Sequence, residues 1–195
     1  MTATTPGSGD RAELLWLPVG AGGHVVRRTS AAWERAAALR ARRRPRPLFH
    51  AALGLRRDGV PYVVEMTPAW GGPPVDRGVV VTGPVGLRPL GRSRWFRYEV
   101  RCWPHGAIPD REHAVGPPVV VTSDPAAVGR LLRAVRGAPP LTWGRRPPGA
   151  GEMWNSNSLV AWSLVRAGLE ADHVPPDGGR APGWGAGVRV AAGTA

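Results

Sequence analysis

Lysine is missing from this chain. All 26 basic residues are arginine, against 14 acids, and the formal net charge is +12. With 27 glycines and 22 prolines beside them, the arginines point to a GC-rich coding sequence. That bias explains Arg in place of Lys but not the excess of base over acid. Cysteine occurs once, at Cys102, which excludes an internal disulfide. No window approaches the roughly 18 uninterrupted apolar residues that suggest a membrane-spanning helix. The start, MTATTPGSGDRAELLW, lacks a basic stretch followed by an apolar one, so no secretory signal is expected. These absences predict a cytoplasmic protein. No internal repeat is present. The five histidines, His24, His50, His105, His113 and His173, show no helical ligand spacing with a carboxylate, so no zinc site and no cofactor are expected. Gly20-Ala21-Gly22-Gly23 has no Lys-Ser/Thr after it and opens no long helix, so it reads as a tight turn rather than a phosphate loop.

What is present suits one domain. The 195 residues are 43% hydrophobic, enough for one real core and too few for two comfortable ones. The basic surface has two readings: a solvated surface, or one that attracts nucleic acid or acidic headgroups. The arginines are scattered except for Arg40, Arg42, Arg43, Arg44 and Arg46. Aromatics do not alternate with that cluster, as a groove for single-stranded nucleic acid requires. Because acids are not near in sequence, the cluster is expected to be an exposed helix end and linker, not a buried ion-pair network.

Residues 1–11 read as disordered, residues 12–170 as a single domain, and residues 171–195 as a loop-like tail. ELLWLPVGAGGHVVR reads as strand, glycine turn, strand. SAAWERAAALRARRR reads as a helix capped by Ser30 and stopped by Pro45 and Pro47. Asp58-Gly59 signals a hairpin between an apolar run ending near Arg56 and the return strand VPYVVEM. RGVVVTG and SRWFRYEVRCW read as further strands, and PPVVVTSD as a short one. In SRWFRYEVRCW, Phe96, Tyr98, Val100 and Cys102 share one face. Trp95, Arg97, Glu99, Arg101 and Trp103 share the other, which is expected to meet solvent or a partner. Asp124-Pro125 opens a helix that Gly137 and Pro139 close. A last helix covers about 157–167, with Gly168 as its stop. Strands in the middle flanked by helices predict an α+β fold with a mostly antiparallel sheet.

That last helix poses the chemical question. Asn155-Ser156-Asn157-Ser158 precede a run from Leu159 to Leu169 broken only by polar Ser163 and Arg166, with small Ala167 and Gly168 near its end. A helix apolar on nearly every side is central. One polar residue suffices for a cap, so the others either pack against polar loops or do chemistry. The helix start offers unpaired N–H groups that steady an oxyanion, and the stretch from Asn155 to Ser158 both caps the helix and presents a hydroxyl. Folding the hairpin brings His50 near Glu65, on strands joined by the Asp58-Gly59 turn. The pair reads either as a base held by an acid or as polar groups that satisfy each other.

A histidine strand (FHAALGL), an acid strand (YVVEM), and then NSNSLV at the head of a buried helix resemble the circularly permuted branch of the NlpC-type papain-like fold. That branch includes the lecithin:retinol acyltransferase-like proteins. GAGGHVVR, FRYEV and GEMWNSNSLVAW also resemble a group of uncharacterised actinobacterial proteins. The resemblance spans roughly residues 46–170 in order of elements and about twelve positions in motif. It implies a papain-like α+β fold with an antiparallel central sheet and a buried helix bearing the nucleophile at its N-terminus. It implies Ser156 as nucleophile, in the place of the family cysteine, His50 as general base and Glu65 as orienting acid. Asn155 and Asn157 take oxyanion or positioning roles, with the backbone N–H groups of Ser156 and Asn155 as oxyanion donors. A serine hydroxyl, unlike a thiol, needs His50 to take its proton during attack. Ser156 is then a working nucleophile, the mark of a former enzyme that binds something, or a cysteine-to-serine change in this sequence. The expected function is a hydrolase or acyltransferase acting on an amide, ester or thioester of a small molecule, lipid or peptide. The alternative is a catalytically silent binding protein of the same fold, and a basic nucleic-acid-binding protein ranks last.

Overall fold

The computed structural model describes residues 9–20, 34–35, 38–40, 42–69, 78–106, 108 and 111–193. Its centre is a six-stranded sheet in which every pairing is antiparallel. The strands are β1 (Arg11–Pro18), β2 (Phe49–Arg57), β3 (Val60–Pro68), β4 (Val79–Pro84), β5 (Arg97–Pro104) and β6 (Val119–Thr122), in the spatial order β4-β5-β3-β2-β1-β6. Residues 34–35 and 38–40 are helical (α1). Three further helices follow: α2 (Pro125–Arg136), α3 (Ser156–Arg166) and α4 (Trp184–Gly193). The chain is α+β, as its pattern predicts.

Local chemistry accounts for most of these elements. Asp58 and Gly59 both take positive φ, 51° and 77°, which a two-residue hairpin turn of right-handed strands demands. The β2–β3 hairpin therefore forms where expected. Asp124 caps α2, accepting from the N–H groups of Ala126 and Ala127 at 3.0 Å each. Gly168 follows α3 with a φ of 73°. The expected Ser30 cap and most of the Gly20–Gly23 turn lie outside the described residues. β1 starts at Arg11, paired to Arg56, and Asp10 before it accepts from the Asp58 N–H at 2.6 Å, so the end of the segment read as disordered is held to the sheet; residues 1–8 lie outside the described residues.

The main core lies between one sheet face and helices α2, α3 and α4. Leu14, Leu53, Tyr98 and Val100 of the sheet meet Val128, Leu131, Leu159 and Leu164 there. A smaller cluster, Leu15, Leu17, Ala52, Val63 and Ile108, covers part of the opposite face. Every residue of α3 from Asn157 to Leu164 is buried, as a helix apolar all round requires.

Three expectations are corrected. The C-terminal tail is not all loop, because Trp184–Gly193 forms α4. Its glycines are weak helix formers, but tertiary packing overrides propensity. A Cβ on Gly187 would collide with the Ser158 carbonyl, so glycine lets α4 lie directly on α3. Phe96 is not on the buried face of β5. It sits in a short 3₁₀ turn before Arg97, exposed beside Trp95. The opposite face of β5 is not simply solvated, since Glu99 is only 3% exposed.

The arginine cluster divides. Arg40, Arg42, Arg44 and Arg46 are exposed. Arg43, however, bonds the buried carboxylate of Glu34, which also accepts from the Arg46 N–H and from Arg180. Burial pushes the Glu34 pKa up, and the bonds from Arg43 and the Arg46 N–H overrule it, leaving the pKa lowered.

Candidate active site

The site begins with a gap in the sheet. β1 pairs with β2 along its whole length, with Leu17 opposite His50 and Pro18 opposite Phe49. β3 pairs with β2 only from Leu53 onward. Alternation along the strand then leaves the backbone groups of Phe49 and Ala51 facing the side that β3 vacates. Unpaired, they carry the cost of buried polar backbone.

Asn157 fills the gap. Its Oδ1 accepts from the Ala51 N–H at 2.7 Å, and its Nδ2 donates to the Phe49 carbonyl at 3.1 Å. A carboxamide carries one acceptor and a donor side by side, so it stands in for the missing strand's peptide group. The chain near Arg180 completes the edge, with the Phe49 N–H donating to the Arg180 carbonyl at 2.8 Å. The head of α3 is thereby fastened to β2 on both sides of His50.

The neighbouring polar residues each have a partner. Asn155 is the N-cap of α3, accepting from the Ser158 N–H at 3.2 Å, and Ser158 Oγ accepts from the Asn155 N–H at 3.1 Å. This reciprocal capping box uses the i, i+3 spacing that Asn155 and Ser158 offer in the sequence. Asn155 Nδ2 donates to the Pro182 carbonyl at 2.8 Å, and Ser158 Oγ donates to the Gly183 carbonyl at 2.7 Å. Ser156, the first helical residue, lies with its Oγ 2.9 Å from His50 Nδ1. Three of the four polar residues thus lock the helix head to β2 and to the segment before α4, and the fourth faces the histidine.

The electrostatics favour a neutral imidazole. Burial lowers the His50 pKa from its ordinary value. For Nδ1 to accept from the Ser156 hydroxyl, the ring proton must sit on Nε2. The N–H groups of Ser156 and Asn157 have no hydrogen-bond partner among the described residues, and they point from the positive end of the helix. The N–H of Asn155, expected to be an oxyanion donor, is instead committed to Ser158 Oγ.

Glu65 shares a face with His50. Leu17, opposite His50, belongs to the same small cluster as Val63, two residues before Glu65 on β3. No hydrogen bond or ion pair joins the two among the described residues. Glu65 pairs instead with Arg101, its neighbour across β5, at 3.7 Å, and Arg101 Nε bonds Glu99 at 3.1 Å. Burial raises the Glu65 pKa, and the charge of Arg101 opposes that rise. Sequence reasoning missed this Glu65-Arg101-Glu99 cluster. The alternation of β5 placed Glu99 and Arg101 together correctly but gave no sign of what covers them.

No group of three or more His, Cys, Asp or Glu side chains among the described residues could hold a metal. No described helix is long and apolar enough to cross a membrane.

No family model, curated protein or solved structure matches the chain.

Proposed function

We propose that this chain is a papain-like hydrolase or acyltransferase in which Ser156 attacks an amide, ester or thioester carbonyl. The observation that carries the reading is the 2.9 Å approach of Ser156 Oγ to His50 Nδ1 at the head of a buried helix. As Oγ bonds to the carbonyl carbon, its proton passes to Nδ1. The new oxyanion meets the N–H groups of Ser156 and Asn157, and the helix end adds its positive potential. Collapse expels the leaving group, which takes the proton from His50. The acyl group on Ser156 is then transferred to water or to an acceptor nucleophile. Asn157 and Asn155 act as positioning residues, holding the helix head against β2. Glu65 is the orienting acid in this reading, and it would have to exchange Arg101 for His50 Nε2. A small-molecule, lipid or peptide substrate and a cytoplasmic location belong to the same proposal.

A second reading is a catalytically silent binding protein of the same fold. The Glu65–Arg101 ion pair favours it, because it leaves His50 without an acid among the described residues. Labelling with an acyl-phosphonate probe separates the two. The enzyme reading predicts a covalent adduct on the native protein that both Ser156→Ala and His50→Ala remove. Absence of an adduct on the folded native chain supports the silent reading.

A further inference from the structure

A second concentration of chemistry lies away from Ser156, where α2 packs on α3. Arg130 and Arg133 of α2, Trp162 and Arg166 of α3, and Gly137 and Pro139 line a cleft of about 480 Å³. That volume lies within the range of small-molecule sites. Arg130 and Arg133 are three apart, and Trp162 and Arg166 four apart, so each helix contributes one side of its surface. The three arginines are exposed, and none has a carboxylate partner among the described residues. Arg130 is oriented from behind, its Nε donating to the Ala167 carbonyl at 2.9 Å.

The indole of Trp162 supplies an independent observation. It is 6% exposed, and its Nε1–H is buried with no hydrogen-bond partner. Arginine side chains are donors only, so every charged side chain lining the cleft donates and no lining side chain accepts, while the Trp162 Nε1–H is itself closed off from solvent. Arginines near the ends of α2 and α3 also offset the negative helix termini. That role leaves the unpartnered indole N–H without an explanation.

We infer that this cleft binds the phosphate group of a small phosphorylated organic molecule. Phosphate offers several acceptor oxygens and a charge that planar guanidinium forks engage in pairs. The Trp162 ring and Pro139 give an apolar wall for the organic part. The inference does not depend on the Ser156–His50 reading.

The test uses the full chain with ¹⁵N-labelled tryptophan. Phenyl phosphate is titrated at fixed ionic strength, with benzyl alcohol and sodium chloride as controls. The Trp162 indole resonance, assigned by its loss in Trp162→Phe, should shift saturably with phenyl phosphate and with neither control. Arg133→Gln/Arg166→Gln should weaken binding at least about tenfold, since charge-assisted contacts are the strong ones. Arg88→Gln/Arg92→Gln, elsewhere on the surface, should change it by less than about twofold, as screening of distant charges implies. An unshifted Trp162 resonance, or equal weakening in both double variants, overturns the inference. Unchanged indole resonances of the other tryptophans establish that each variant is folded.

Discussion

Helices α2 and α3 pack on the same sheet face but begin in different ways. Asp124 alone caps α2, at an exposed position, taking two backbone N–H groups. The head of α3 uses four polar side chains and is largely buried. The difference lies in what surrounds each start. α2 begins at the surface, where Pro125 has no N–H to satisfy and Asp124 takes the rest of the first turn, Ala126 and Ala127 on its carboxylate and Val128 on its carbonyl. α3 begins against an unpaired stretch of β2 and the segment before α4, and the side chains of Asn155, Asn157 and Ser158 take their partners from those segments. Once those partners are assigned, Ser156 alone of the four has its side chain directed at a titratable group. An ordinary cap and a reactive helix head thus differ by the side chain left over after capping and anchoring.

Substitutions can break this comparison, and the largest effect is expected at Asn157. Asn157→Leu strands the Ala51 N–H and the Phe49 carbonyl, and should cost roughly 2–4 kcal/mol in urea unfolding. A loss no greater than that of Asp124→Ala would reduce Asn157 to an ordinary polar residue. Gly187→Ala drives a Cβ into the Ser158 carbonyl and should cost about 1–3 kcal/mol, with thermal unfolding as the measure. Asp124→Ala removes a single exposed cap and should cost only about 1 kcal/mol.

The smallest expected effect sharpens the comparison through pH. Burial lowers the His50 pKa, so the imidazole stays neutral further into acid than a free one. The rate of probe labelling at Ser156 should therefore hold steady as pH falls to about 6.5, the ordinary histidine value, and decline only below it. A decline centred above that value would mean that His50 gains a charged partner during the reaction, the outcome expected if Glu65 leaves Arg101 for His50 rather than staying in its ion pair.

Much of the architecture was legible because its signals are local. Asp58-Gly59, Asp124-Pro125 and the run after Asn155 each specify a turn or a helix end within a few residues. The α4 helix was not legible, because WGAGVRVAAG looks like loop until Gly187 is seen against Ser158. The pairing of Glu65 was not legible either. It depends on β5 lying beside β3, a non-local choice that no hairpin signal encodes. Ser156 and His50 were singled out by the resemblance and by a strand position, and the structure brings their side chains within 2.9 Å of each other. The role of Asn157 required knowing that β3 leaves β2 at Leu53.

The central claim is that the α3 head and His50 form a pocket that activates a nucleophile at position 156. Ser156→Cys tests it against an internal reference, because Cys102 is buried and burial raises its pKa. A thiol beside an imidazole at a helix N-terminus should ionise near neutral pH. Iodoacetamide labelling at pH 7, followed by peptide mapping, should modify position 156 at least about tenfold faster than Cys102, with the advantage reduced when His50→Ala is added. Equal labelling rates for the two cysteines in the folded variant would contradict the account.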